Sequence, residues 1–98
     1  MNLQSLMKQA QSMQKNMLDS KAKIEAMDFT GESELVTVVM SGKKEVKSVK
    51  IKSADLEKDD IEILEDMITL AVNDAISKIN KEINDKMGSQ AGAFGDLF

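Results

Sequence analysis

Residues 2–27 read NLQSLMKQAQSMQKNMLDSKAKIEAM. Leu3, Leu6, Ala10, Met13, Met17, Ile24 and Met27 fall at alternating steps of three and four, broken only at Ser20. That spacing keeps one apolar seam on one side of a helix, the pattern that packs against another helix. A helix of this length is roughly 39 Å long at about 1.5 Å per residue. A compact globule of this chain length has a radius of gyration of only about 13 Å. The seam therefore outruns the fold behind it, and a second copy of the chain is the nearest candidate to cover it.

Composition sets the limits on the rest. The chain has 98 residues, 42% apolar and 31% charged, with no Trp or Tyr and Phe only at 29, 94 and 98. The core must be small and built from Ile, Leu, Val and Met, and oligomerisation is a common remedy for such a chain. With neither Cys nor His, disulfides, thiolate or imidazole metal sites and Ser-His or Cys-His nucleophiles are excluded. No Gly-rich phosphate loop is present, because Gly31 and Gly42 stand alone. An enzyme, a cofactor and a small-molecule substrate are not expected. No stretch is apolar enough to span a bilayer, and Gln4, Lys8, Gln9 and Gln11 interrupt any secretory signal. The expectation is a cytoplasmic protein with no membrane partner.

After the first helix, residues 28–33 (DFTGES) are poorly suited to helix and leave room for a short extra strand. Leu35-Val36-Thr37-Val38-Val39-Met40 is apolar at nearly every position and reads as a strand covered on both faces. Ser41-Gly42-Lys43-Lys44 supplies a turn in which Gly42 is free to take positive φ. The returning strand, Glu45 to Lys52, sets Val49 and Ile51 against Lys50 and Lys52, while Val46 is out of phase, which predicts a twist or bulge near Lys47. These lysines read either as a solvated face that discourages edge aggregation or as a nucleic-acid contact.

A second helix follows, with Asp59 as N-cap and Glu62 closing a capping box. The carboxylates here suit a helix start and lack the spacing of a calcium loop. From Ile61 to Ile76 apolar residues cover most of the circumference, so this half belongs in the protein body. Beyond Ser77 only Ile79, Ile83 and Met87 continue, a narrow stripe that pairs with one other helix, the first being the natural mate. Gly88 reads as a C-cap, giving a single domain over 1–88 and a mobile tail over 89–98. Phe94, Leu97 and Phe98 read as a frayed end or a short partner-binding motif. The fold class is thus α+β: long N-terminal helix, short antiparallel sheet (a hairpin plus the extra strand), long C-terminal helix. The packing candidates, between helices or between copies, are Leu3, Leu6, Ala10, Met13 and Met17 on the first helix and Leu64, Ile68 and Val72 on the second.

Net charge is −4, but it is unevenly spread. Residues 1–27 hold four lysines against two acids, and 43–52 hold five against Glu45, while 53–86 hold ten acids against four lysines. Local surface rather than total charge governs binding. Every cation is Lys, and without Arg bidentate reading of guanine is not expected. Lys8 and Lys15 lie opposite the seam among Gln4, Gln9, Gln11, Gln14 and Asn16. Asn73, Ser77, Asn80 and Asn84 form a polar row near Lys78, Lys81 and Lys86. Lysines with neutral amides suit phosphate and sugar contacts without base readout, and the same composition describes any solubilised helix.

Several strings resemble one known group. Leu6-Met7-Lys8-Gln9-Ala10-Gln11 with Met13-Gln14, then Thr30-Gly31-Glu32-Ser33 and Glu45-Val46-Lys47-Ser48-Val49-Lys50-Ile51, are similar to segments of the YbaB/EbfC family of bacterial nucleoid-associated proteins. So are Leu64-Glu65-Asp66-Met67-Ile68, Ala71-Val72-Asn73-Asp74-Ala75, and Glu82, Lys86 and Met87. The resemblance runs to about Gly88. It implies a homodimer shaped like tweezers that binds DNA with its helical arms in the nucleoid, with roles in chromosome organisation and gene expression. Carried over to surface positions here, the DNA-binding candidates are Lys8, Lys15, Lys78, Lys81 and Lys86. The chain departs from the family in a shortened Gly-rich stretch after Gly31-Glu32-Ser33, in Ser41 where Asn is usual, and in Lys44 where a second Gly often sits. The alternative expectation is a dimeric protein–protein interaction module without direct DNA binding.

Overall fold

A computed structural model describes residues 2–87. The expectations for Gly88 and the tail lie outside the described residues. The order of elements is α1 (Leu3–Glu25), β1 (Asp28–Glu32), β2 (Val36–Ser41), β3 (Val46–Ile51), a 3-10 turn (Lys58–Asp60) and α2 (Ile61–Met87). The strands form one antiparallel sheet in the order β1-β2-β3. Extents of 70 × 19 × 16 Å and a radius of gyration of 18.8 Å make the protomer far longer than a compact globule.

α1 begins where Asn2 accepts a hydrogen bond from the Ser5 N–H at 2.8 Å, an N-cap that satisfies one orphan donor. It ends two residues short of Met27, because the chain must turn into β1. The extra strand is real: in β1 Phe29 and Gly31 face inward while Asp28, Thr30 and Glu32 face out. Gly31 is required by proximity. A methyl there would collide with the Ala71 carbonyl and the Ala75 side chain, so β1 lies directly on α2. Ala71 and Ala75 are themselves completely buried.

Three expectations are corrected. β2 is not covered on both faces: Val36, Val38 and Met40 are buried, whereas Thr37, Val39 and Ser41 are only half-buried, because the helices pack on one side of the sheet. Gly42 does not serve the turn through positive φ. A side chain there would strike the Ile24 carbonyl, and the Gly42 N–H donates to Met27 O at 3.0 Å, so its smallness seats the hairpin against the root of α1. The left-handed residue is Lys44, with φ 65°. The third correction concerns the start of α2. The cap lies earlier than Asp59 and Glu62, where the Asp60 carboxylate accepts from the Glu57 N–H at 2.9 Å and the Asp60 N–H donates to Glu57 O at 3.0 Å. The 3-10 turn thus leads straight into Ile61.

The bulge is where the phase break placed it. Val39 pairs with Ser48 and Met40 with Val46, leaving Lys47 as the extra residue. The two halves of α2 also divide as their apolar patterns predict. The first half lies on β1 and β2 through Ala71, with Leu64, Met67, Ile68 and Val72 half-buried against Val36 and Val38. The second half leaves the sheet, and Ile79, Ile83 and Met87 pack with Met17 and Ile24 of α1 in one core cluster with Phe29 and Met40. α1 and α2 run antiparallel there and form a two-helix arm.

Candidate nucleic-acid interface

The arm is built from its apolar stripe outward. Met17 and Ile24 are the buried residues of α1, and every residue from Asn2 to Asn16 is exposed. Past Met17 the helix continues for roughly 21 Å at about 1.5 Å per residue. Its seam is open there, with Leu3 72% accessible and Leu6, Ala10 and Met13 also exposed. Between the helices, Gln9, Ser12, Met13, Asn16, Met17, Ser20, Lys86 and Met87 line an open cleft of about 380 Å³. Its walls are mostly hydroxyl, amide and thioether groups, and among the described residues it holds no carboxylate.

Lys8, Lys15, Lys81 and Lys86 are exposed on this arm, among Gln4, Gln9, Gln11, Gln14 and Asn16 on α1 and Asn80 and Asn84 on α2. Lys86 approaches Glu82 at 3.8 Å, a loose pair between an exposed ammonium and a half-buried carboxylate. Lys8, Lys15 and Lys81 form no ion pair among the described residues. Their ammonium groups stand on flexible stems with three donors each.

Lys78 differs from the others. Its ammonium donates to the Thr30 carbonyl oxygen at 2.6 Å and lies 3.4 Å from Asp74. Asp74 in turn accepts from the Glu32 N–H at 2.9 Å. The two side chains clamp α2 to the outer edge of β1, where no neighbouring strand satisfies those backbone groups. The Glu32 hydrogen bond foremost, helped by the hydrogen bond and charge of Lys78 and opposed by partial desolvation, holds the Asp74 carboxyl below its ordinary value. Spacing on the helix could not reveal this clamp, because both backbone partners come from a strand more than forty residues earlier.

The packing candidates separate into two places. Leu3, Leu6, Ala10, Met13 and Met17 belong to the arm. Leu64, Ile68 and Val72 lie in the body, packed against Val36 and Val38 of β2, the strand next to β3. Val36 pairs with Ile51, Val38 with Val49 and Met40 with Val46, so these β3 side chains share the helix side of the sheet. α2 covers β1 and β2 and leaves β3 bare: Val46, Val49 and Ile51 are each between 43% and 49% accessible. A trough walled by β3 and by the half-buried stripe of α2 is the result. Among the described residues no helix is long and apolar enough to cross a membrane.

Known proteins resemble this chain along most of its length. The model of the YbaB/EbfC DNA-binding family matches residues 1–94. A nucleoid-associated protein of Streptococcus agalactiae serotype III is 45% identical over 94% of this chain and 95% of its own length. Nucleoid-associated proteins of Streptococcus uberis and of Streptococcus pyogenes serotype M1 are 44% and 42% identical over the same shares. Similarity along nearly the whole chain places this protein in the YbaB/EbfC family of nucleoid-associated DNA-binding proteins, which is not a family of enzymes.

Proposed function

We propose that the chain works as a homodimer that holds duplex DNA by its phosphate backbone, with little sequence preference, and so influences chromosome organisation and gene expression in the nucleoid. The observation that carries this reading is the arm: a projecting helix pair with Lys8, Lys15 and Lys81 free of ion pairs among the described residues and set among neutral amides. Such a surface makes phosphate and sugar contacts. The lack of Arg in the whole chain removes the usual bidentate reader of guanine and supports weak specificity. The trough of Val46, Val49 and Ile51 supports the dimer, since a second copy would bury apolar surface that the protomer leaves in water.

Retention of a short duplex across a salt series tests this reading. Affinity is expected to fall linearly with salt on a double-logarithmic scale as counterions are released. Binding that ignores salt, or none at low salt, would overturn it. Sedimentation of the purified chain with and without the duplex reports the dimer and its DNA stoichiometry together.

A further inference from the structure

We infer that the outer face of the sheet is a second contact surface for duplex phosphates, separate from the arms; this rests on the DNA-binding reading above. Both helices lie on the inner side, against Val36, Val38 and Met40. Thr37 and Val39 point to the other side, and their strand partners there are Lys50 and Ser48. Lys52, two residues on from Lys50, continues the same row, and the bulged Lys47 reaches Asp28 across that face at 2.9 Å. Lys43 and Lys44, both exposed, follow in the hairpin turn at the end of this row. The basic strip from Lys44 to Lys52 is about 26 Å long at roughly 3.3 Å per strand residue.

Three features suit this strip to a duplex backbone. First, its positive charge is local. Asp28 is already matched with Lys47, Glu32 lies on the far strand, Glu45 sits at the turn and Glu34 is the one acid in the β1–β2 loop at the Lys52 end, whereas the acid-rich start of α2 belongs to the helix layer on the other side. Second, two of the ammonium groups are held in place, Lys47 by Asp28 and Lys52 by the Ser33 carbonyl at 3.0 Å. Each keeps further N–H donors directed to solvent. Third, hydroxyls of Thr37, Ser41 and Ser48 lie between the lysines, and no aromatic side chain is present. Neutral donors and lysines contact phosphate, while single strands are usually held by aromatic stacking.

The test compares Lys43→Gln/Lys50→Gln with Lys8→Gln/Lys15→Gln, each measured by fluorescence anisotropy of a labelled short duplex across a salt series. Each pair is expected to reduce the log–log salt slope by about two per protomer. A slope unchanged in the sheet pair but reduced in the arm pair would overturn this proposal and leave the arm reading standing. No binding by the unmodified protein at low salt would overturn both. Acylation of surface amines on the unmodified protein gives a check independent of variant folding. DNA is expected to protect Lys43 and Lys50 as well as Lys8 and Lys15, and protection confined to the arm lysines would overturn the proposal. If the sheet pair binds DNA normally but loses retention on phosphatidylserine vesicles, the strip is a membrane contact and the proposal fails.

Discussion

The Lys78 ammonium sits 2.6 Å from the Thr30 carbonyl oxygen, at the free edge of the sheet. A side chain that reads as a DNA contact on the helix is thereby engaged in holding β1 to α2. Lys78→Met keeps the stem and removes the donor. It is expected to lower stability by about 1 kcal/mol, the usual worth of one such bond, measured by urea unfolding. Its effect on DNA affinity should be smaller than that of Lys8→Met or Lys15→Met.

Acid should release the same clamp. The Asp74 carboxyl has its folded-state pKa lowered below the unfolded value, mainly by the Glu32 N–H. A depressed carboxylate contributes stability above its unfolded pKa and loses it as pH falls through the folded one. Unfolding midpoints followed from neutral pH to below the ordinary Asp range should therefore drop more steeply for the native chain than for Asp74→Asn. Parallel curves would show that this carboxylate makes no difference between folded and unfolded states.

Gly31→Ala tests how closely β1 approaches α2. The added methyl would meet the Ala71 carbonyl, a backbone atom that cannot swing aside. The expected loss is about 3 kcal/mol, at the upper end for overpacking, seen as a lower thermal midpoint. Ala75→Gly in the same protein should recover part of that loss, because it removes the Ala75 side chain that the new methyl also meets.

The open lysines of α1 should act on binding alone. Lys8→Glu with Lys15→Glu changes two exposed residues that make no ion pair among the described residues. Circular dichroism and sedimentation are expected to be unchanged. DNA affinity should weaken, with a shallower salt dependence because fewer counterions are released.

Val49→Asp addresses the dimer. Val49 is 48% accessible in the protomer, so a carboxylate costs little there, yet it would be stranded in an apolar contact with a second copy. A folded monomer in analytical ultracentrifugation is the expected product. An unaltered dimer would place the contact elsewhere than on β3.

Much of this architecture was legible in residue spacing. The α1 seam, the change in α2 at Ser77 and the phase break at Val46 each follow from a period that only one kind of element satisfies. β1 was harder to read, because one of its inward positions is Gly31, whose fit depends on Ala71 and Ala75 some forty residues away. Separation along the chain likewise hid the roles of Asp74 and Lys78, whose partners on β1 are more than forty residues away. It also hid that of Gly42, whose partners Ile24 and Met27 lie on the far side of β1 and β2 in the sequence. Each is explained by a backbone group that the fold brings near, and no local pattern carries that information. For the candidate interface, periodicity separated lysines facing outward from apolar residues facing inward. It could not separate free lysines from one already bound to a carbonyl.

Gly42 presses on the carbonyl of Ile24, and its N–H is tied to Met27. The hairpin therefore butts against the base of α1 like a stop behind a lever, and the arm cannot swing at its root without prying the two apart. In a pair of such subunits the gap between the jaws would be fixed at the hinge rather than adjusted by each target. Selection would then operate as a gauge does, admitting a cylinder of suitable girth whatever letters it carries.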